Sequence, residues 1–493
     1  MPPSAGFGHD GRSLAQGLWL LAYALVQLLL VLYASHRYAI LWRWWRRPRM
    51  RRAPPGAIHE LPRVTIQLPI FNERCVVERL IAAVASLDYP RDRLEIQVLD
   101  DSTDETTRLA ARAVARERAR GTDIRLLHRR RRRGFKAGAL AAGLRVARGE
   151  MIAVFDADFV PSSDFLLRAL PHFDRPSIGM VQARWGHLNR GRSAFTQAQA
   201  VVLDAHFLLE HATRMENGLF FNFNGTAGVW RRACIEDAGG WSADTLTEDL
   251  DLSYRAQLRG WRFRFVPDLI APAELPGDIV SLKTQQRRWA KGSIQTARKL
   301  LPRVFATERR RWIRLEAFVH LTSNMAYPLL LALGLLLLPV LLGAPAAPAW
   351  LGWTIQGGVW LFGVIPTLLF LVVGQREAGS PWRRIPRDVA SAMVLGIGLS
   401  LNNTCAVLGG LRAEVGNWER TPKTGDHGGT RARGGYRRSG RLMGAGELGL
   451  AAYFGAVGAF AWMFADRRAV PFLVLLLAGF AAVAVASLAP RRA

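Results

Sequence analysis

Three acidic sites and one basic, aromatic site stand out in this chain: Asp100-Asp101, Asp156-Ala157-Asp158, Glu248-Asp249 and, after 35 intervening residues, Gln285-Gln286-Arg287-Arg288-Trp289. Two carboxylates one residue apart can hold a hard cation through oxygen ligands, and such a cation bridges phosphate oxygens. A guanidinium such as that of Arg288 makes paired, charge-assisted bonds to phosphate. An indole such as that of Trp289 offers a flat apolar face on which a sugar ring stacks while its hydroxyls stay free. A carboxylate such as that of Asp249, its pKa raised by partial burial, can take a proton from an attacking hydroxyl. Moving a sugar from a nucleotide diphosphate to a hydroxyl needs these functions together.

Each site also has a plainer reading when taken alone. Asp-x-Asp is what a solvated turn looks like. Asp100-Asp101, before Ser102-Thr103-Asp104, could be a helix N-cap cluster, and that role can coexist with ligand contact. Gln285 to Trp289 fits an amphipathic interfacial helix with a Trp anchor and Arg head-group contacts. Arg129 to Arg133 reads as a solvated loop rather than a substrate contact. His206 and His211 are five apart, which does not put them on one α-helical face as metal ligands, so they read as structural histidines. Gly444 to Gly449 spells GxGxxG but follows no strand, which excludes a dinucleotide site.

The positioning elements follow from hydropathy. The chain has 493 residues, half of them hydrophobic, with 21% charged residues and a net charge of +27; such content must be segregated into a membrane part and a water-facing part. The arginines cluster beside apolar runs, as in Arg43 to Arg52, which argues against nucleic acid as a partner and for anionic lipid. Cys75, Cys234 and Cys405 are too far apart for metal or redox spacing and read as buried apolar residues in a reducing compartment. From about 60 to 300 the pattern is that of a soluble domain. The runs Val64 to Leu68, Glu95 to Leu99 and Met151 to Val154 predict strands, and helical patterns at 104–119 and 137–147 alternate with them. This predicts a parallel, doubly wound α/β sheet with ligands beyond the carboxyl ends of its strands, where Asp100-Asp101 and Asp156 to Asp158 fall.

Around this domain, apolar stretches predict transmembrane helices at 17–42, 319–343, 351–373, 447–465 and 469–488. By the positive-inside rule residues 1–16 lie outside, residues 43–300 form a cytoplasmic catalytic domain, and Arg491-Arg492 lie inside. A span at 390–412 would split two basic stretches between opposite faces, so it is expected to be interfacial or re-entrant within a cytoplasmic segment 374–446. Residues 424–441, rich in Gly and Arg, predict a mobile loop.

Together the acidic sites and Gln285-x-x-Arg288-Trp289 resemble the "D, D, D, 35 residues, QxxRW" signature of processive family-2 glycosyltransferases, which include cellulose, chitin, hyaluronan and mannan synthases. The resemblance implies a glycosyltransferase-A-type doubly wound α/β domain inserted between transmembrane helices of a multi-pass protein of the cell membrane (inner or plasma membrane). It implies that Asp100 and Asp101 contact the base and ribose of a nucleotide sugar. Lys136, in Gly134-Phe135-Lys136-Ala137-Gly138, resembles the family's lysine-alanine-glycine motif and would approach the donor, as would Gln285 and Arg288. Asp156 and Asp158 would bind the donor and hold a divalent cation, Mg2+ or Mn2+. Asp249 would be the general base, and one base without a protein nucleophile inverts the anomeric centre. Trp289, Glu248, Asn224 and Gly225 would meet the growing β-glycan acceptor.

Phe220 to Trp230 resembles the segment that the plant cellulose-synthase-like A and C families place beside the acceptor. Trp418-Glu419-Arg420-Thr421-Pro422-Lys423-Thr424-Gly425 is similar to the gating loop of cellulose synthases, through Trp418, Thr421 and Lys423, and departs from it in having Arg420 where an apolar residue is usual. The A and C groups make β-1,4-mannan or glucomannan and β-1,4-glucan backbones, so the implied donors are GDP-mannose and/or UDP-glucose, with the polymer exported across the membrane. A PilZ domain is not expected, and accessory subunits stay open. The alternatives are a non-processive family-2 transferase adding one sugar to a lipid carrier, and a membrane channel or binding protein with an inactive transferase domain.

Overall fold

The computed structural model describes residues 7–47, 60–343, 350, 353, 357–412, 416, 420, 421, 423, 425 and 437–489. Trp418 and most of the expected mobile loop, 424–441, lie outside the described residues; 437–441 already belong to a helix that runs Arg437–Phe464.

Among the described residues seven strands form one sheet: β1 (Val64–Ile70), β2 (Leu94–Asp100), β3 (Ile124–His128), β4 (Met151–Val154), β5 (Ile178–His187), β6 (Gly228–Arg231) and β7 (Arg262–Ala273). Their order is β3-β2-β1-β4-β6-β5-β7. The expectation of a wholly parallel sheet needs one correction, because β6 runs antiparallel to both β4 and β5. The chain reaches β6 from the carboxyl edge of the sheet, through residues 217–227, and so enters it pointing the other way. The other neighbours pair in parallel. The chain steps from β1 to β2 to β3 in one direction and then places β4 on the opposite side of β1. That reversal opens a crevice above β1 and β4, where ligands of such sheets bind.

Helices α1 (Val77–Ala85), α2 (Thr106–Ala119) and α3 (Phe135–Val146) cover the sheet. In α1, Val77, Leu80, Ile81 and Val84 are buried, the spacing of one apolar stripe. On one face of the strands Ile66, Ile96 and Val98 belong to one core; on the other Leu99, Ile152 and Val154 join Leu140, Trp230 and Phe263, and β1 and β2 also bury a polar row there, with Thr65 bonded to Glu95 and Gln67 to Gln97. Of the cysteines only Cys234 is buried; Cys75 is half-buried and Cys405 exposed, which corrects the expectation for those two. Cys405 shares its exposed, apolar neighbourhood with Leu408 and Leu411.

Among the described residues, five helical stretches are long and apolar enough to cross a membrane: Gln16–Arg46, Arg311–Leu342, Gly357–Glu377, Leu442–Phe464 and Arg467–Leu488. The second is two helices, Arg311–Thr322 and Ala326–Gly343, joined by a tight turn at Ser323–Met325. Residues Ile385–Gly398 and Ser400–Gly410 form a pair bent by 48°. A Cβ on Gly398 would lie 2.3 Å from the carbonyl oxygen of Gly479, so two small residues let the bent pair touch the last helix. His36 and Arg43 of the first span both bond Glu316, at 2.5 and 2.7 Å.

A 27-residue helix, α4 (Ile279–Phe305), joins the two parts and carries Gln285, Arg288 and Trp289. Asp278 caps it, its carboxylate accepting from the amides of Val280 and Ser281. One face lies against the loop that ends in Thr247-Glu248-Asp249: Gln295 accepts from the amide of Leu246 at 3.0 Å, the hydroxyls of Thr247 and Thr296 are 3.2 Å apart, and Lys299 pairs with Asp244 and Asp251. The opposite contact is to the membrane frame, where Lys283 is buried against Glu447 at 2.6 Å. A Cβ on Gly292 would fall 2.5 Å from Thr247 Cγ2 and 2.9 Å from its backbone nitrogen. Gly292→Ala should therefore lower the melting temperature of the detergent-solubilised protein, because the overlap outweighs the gain of about 1 kcal/mol in helix propensity. A melting temperature equal to or above wild type would show that the loop yields without cost.

Candidate active site

The loops after β1, β2 and β4 meet over the crevice. Asn72, at φ +56°, donates its amide to the Ser102 hydroxyl and accepts from the Thr103 amide, which ties the first two loops together. Asp100 is fully buried and accepts from the Ser102 amide, the Thr107 hydroxyl and His128. Burial alone would raise its pKa, but these bonds outweigh it and hold the carboxyl below its ordinary value. It braces the loop from behind. Its neighbour Asp101 does line the crevice and takes two bonds from Arg129, at 2.7 and 2.6 Å. The Arg132 guanidinium lies 3.4 Å over the Phe71 ring and also faces the crevice.

At the end of β4, Lys136 reaches across from α3. Its ammonium donates to Asp156 at 2.6 Å and to the Gly225 carbonyl at 2.8 Å, and lies 3.9 Å from Glu248. Burial favours the neutral amine, yet Asp156, Glu248 and Asp249 around it raise its pKa and keep it charged. Asp249 is half-buried beside this group, with one oxygen accepting from the Leu250 amide. Burial, and then the adjacent Glu248, push its pKa up to about 7, and Glu248 is raised as well, mainly by burial. Gly225 has φ +81°, and a Cβ there would lie 2.9 Å from Asp249 Oδ2 and 3.3 Å from Lys136 Nζ. Only glycine fits between the Asp249 carboxylate and the lysine.

Helix α4 forms one wall with Gln285, Arg288 and Trp289. Trp289 is 6.4 Å from Trp185 of β5, centroid to centroid, so two indoles border the same space. The far side is closed by the segment with Arg420, Thr421 and Lys423. Arg420 pairs with Glu73 through two bonds of 3.1 Å, the Thr421 hydroxyl accepts from Arg288 at 3.3 Å, and Lys423 donates to Asp158 at 2.7 Å and to the Glu274 carbonyl at 2.9 Å. The Gly425 amide donates to the Glu274 carboxylate, which Arg79 also binds. Burial pushes Glu73 up to about 7 even though Arg420 opposes it. The cleft is open to solvent on one side and takes in about 1000 Å³ counted out into its mouth.

The structure thus brings Asp101, Lys136, Asp156, Asp158, Asn224, Gly225, Glu248, Asp249, Gln285, Arg288, Trp289, Thr421 and Lys423 to one cleft and leaves Asp100 behind its wall. Glu73, Arg132, Trp185 and Arg420 also line it and were not expected there. Arg132 belongs to the arginine run read as a solvated loop, and nothing in that run marks one member as facing inward. Arg420 was visible as a departure from the loop pattern, but its partner Glu73 lies 347 residues away.

Among the described residues no group of three or more His, Cys, Asp or Glu could hold a metal ion. Asp156 and Asp158 offer two carboxylates, each with one oxygen on a lysine. That donor set fits a hard cation whose remaining ligands come from phosphate and water.

Residues 62–292 match the family model described as "Glycosyltransferase like family 2". The chain is 41% identical over 281 residues to glucomannan 4-beta-mannosyltransferase 2 of Arabidopsis thaliana, covering 55% of this chain and 53% of that protein. It is 38% identical over 300 residues to glucomannan 4-beta-mannosyltransferase 7 of the same plant, covering 59% and 54%. It is 44% identical over 253 residues to a probable glucomannan 4-beta-mannosyltransferase 11 of Oryza sativa subsp. japonica, covering 50% and 44%. The chain therefore spans about half the length of the curated relatives it matches. Among solved structures, the mannosyltransferase PcManGT of Pyrobaculum calidifontis, in complex with GDP-Man and Mn2+, aligns with a TM-score of 0.47 at 22% identity, over 73% of this chain and 99% of that one.

Glu73→Gln should loosen the segment that closes the cleft, because Arg420 would lose a charged partner inside a shielded pair. Hydrogen exchange at the Gly425 amide should quicken by about ten-fold or more. Unchanged exchange would mean that Lys423 holds the segment without help.

Proposed function

We infer that this chain, whose residues 62–292 are a family-2 glycosyltransferase domain, is an inverting, processive hexosyltransferase that extends a β-1,4-linked mannan, glucomannan or glucan from GDP-mannose and/or UDP-glucose. One observation carries the reading: Asp156, Asp158, Asp249, Arg288 and Trp289 border a single cleft at the carboxyl edge of the sheet. The similarity to proteins named as glucomannan mannosyltransferases favours mannose among the sugars.

Arg288, Lys423 and Arg132 present positive charge to the diphosphate of the donor. Asp101, at the cleft wall, would meet the base or ribose of the donor. Asp156 and Asp158 would hold Mg2+ or Mn2+, which when bound neutralises charge developing on the leaving diphosphate. Lys136, bonded to Asp156 and to the Gly225 carbonyl, would be released from one of these partners as the donor enters, and it keeps Asp249 and Glu248 from repelling one another. Asp249 takes the proton from the acceptor hydroxyl, which attacks the anomeric carbon from the face opposite the diphosphate. That oxygen to carbon bond forms as the bond to phosphate breaks, and the configuration inverts. The indoles of Trp289 and Trp185 offer stacking faces to successive acceptor rings, which supports a polymer over a single transfer to a lipid carrier.

The five apolar helices, with α4 tied to Glu447 among them, favour export of the product across the membrane beside the cleft. In this reading the domain is cytoplasmic, the membrane is the inner or plasma membrane, and the bent pair 385–410 does not span.

Purified protein supplied separately with GDP-mannose and UDP-glucose, each with and without Mg2+ or Mn2+, should form polymer with at least one donor; no turnover with either would contradict the reading. Asp249→Asn should lower turnover by about 10²- to 10⁴-fold and leave nucleoside diphosphate affinity nearly unchanged. Full activity in that variant would remove Asp249 as base. A base with a pKa of about 7 is protonated below that pH, so turnover should fall as pH drops through 7 and level off above it. A flat profile between pH 5 and 8 would contradict the assignment.

A further inference from the structure

Beneath the cleft, the helix Ala194–Ala205 runs into a π-helical turn, His206–His211. The wider turn puts residues five apart on one face, and the His206 and His211 rings are 4.4 Å apart, centroid to centroid. In α geometry a spacing of five would put them on different faces; the π-helical turn brings them together instead. They share Asn224.

The hydrogen bonds define how. His211 is fully buried, and its Nε2 meets two carbonyl-type oxygens, Asn222 O at 3.1 Å and Asn224 Oδ1 at 2.7 Å. A nitrogen facing two acceptors must carry the proton, so His211 is the neutral Nε2–H tautomer. The Asn224 amide is then oriented with its nitrogen toward His206 Nε2, 3.2 Å away, which must accept. His206 therefore carries its proton on Nδ1 and donates to Glu210 at 3.2 Å. Glu210 also accepts from the fully buried Arg214 at 3.0 Å. The chain of donors has one consistent direction, from His211 to Asn224 to His206 to Glu210. The buried His211, its pKa lowered to about 3 by desolvation, stays neutral at physiological pH.

Asn224 precedes the glycine wedged between Asp249 and Lys136, and its amide nitrogen is held by Gln182 at 3.0 Å. Its carboxamide is engaged on both ends by histidines, so what it offers the cleft is position rather than a free amide. Phe207, in the same turn, packs 5.5 Å from Trp185. One irregular turn thus braces both the glycine beside the base and an indole of the cleft.

We propose that His206 and His211 are positioning residues for the acceptor, holding Asn224-Gly225 so that the attacking hydroxyl meets Asp249 in line with the donor. This rests on the glycosyl-transfer reading above. The test uses the full-length protein with a β-1,4-manno-oligosaccharide or β-1,4-gluco-oligosaccharide as added acceptor and GDP or UDP as the donor-site probe. His211→Leu removes the N–H and should raise the acceptor KM by about ten-fold, with nucleoside diphosphate affinity unchanged. His211→Gln, which presents an N–H at the place of Nε2, should restore most of the loss. At the other ring, His206→Gln keeps an acceptor toward Asn224 and should resemble wild type, whereas His206→Asn reaches only toward Glu210 and should behave like His211→Leu. Melting temperatures identify any variant that fails to fold, and the pair at His206, which is less buried than His211, then decides. Active wild type with the acceptor KM unchanged in both His206→Asn and His211→Leu overturns this inference alone. Wild type that transfers to no acceptor overturns the functional reading together with it.

Discussion

The site depends on one cation. Lys136 stands among Asp156, Glu248 and Asp249 and against the Gly225 carbonyl, and without it three carboxylates would share a shielded pocket with less positive charge, that of Arg288 included, to offset their repulsion. With it they stay together, and Asp249 is left with a pKa near neutrality rather than that of a free acid. The same lysine links the strand ends, because Asp156 follows β4 while Gly225 leads into β6. The antiparallel β6 is therefore more than an irregularity of topology: it delivers a glycine to the carboxyl edge, where an ordinary parallel strand would begin at the opposite edge.

The second constraint is the helix α4, which fixes the distance between Asp249 and Gln285. It must lie flat on the Thr247 loop through Gly292 and Thr296, yet also end among membrane helices through Lys283 and Glu447. A buried ion pair is weak evidence for stability, but it specifies register well. Here it ties the wall that carries Arg288 and Trp289 to the frame embedded in lipid.

Much of this could be read from residues alone, and the limits have physical reasons. Periodicity exposed the strands that end in Asp100 and Val154, since buried parallel strands are short apolar runs followed by polar loops. It could not tell Asp100 from Asp101, because alternation sends one carboxylate inward and the next outward only once the strand's last residue is known. The pairing of Glu73 with Arg420 and the facing of Trp185 and Trp289 are contacts between distant segments, invisible to local pattern. The histidines were misplaced for a different reason. A single extra residue per turn changes which side chains share a face, and no local propensity announces a π-helical turn. The direction of β6 likewise depends on where the preceding loop crosses the sheet.

The proposed reaction rests on a single carboxylate, Asp249, acting on the acceptor, with no protein group forming a bond to the sugar. The anomeric configuration of the first glycosidic bond made from an α-linked nucleotide sugar tests this directly, read by NMR of the product, since a glycosidic linkage, unlike a free reducing end, does not mutarotate. The account predicts a β linkage. An α linkage would mean retention through a covalent or otherwise double displacement, and would contradict the role given to Asp249.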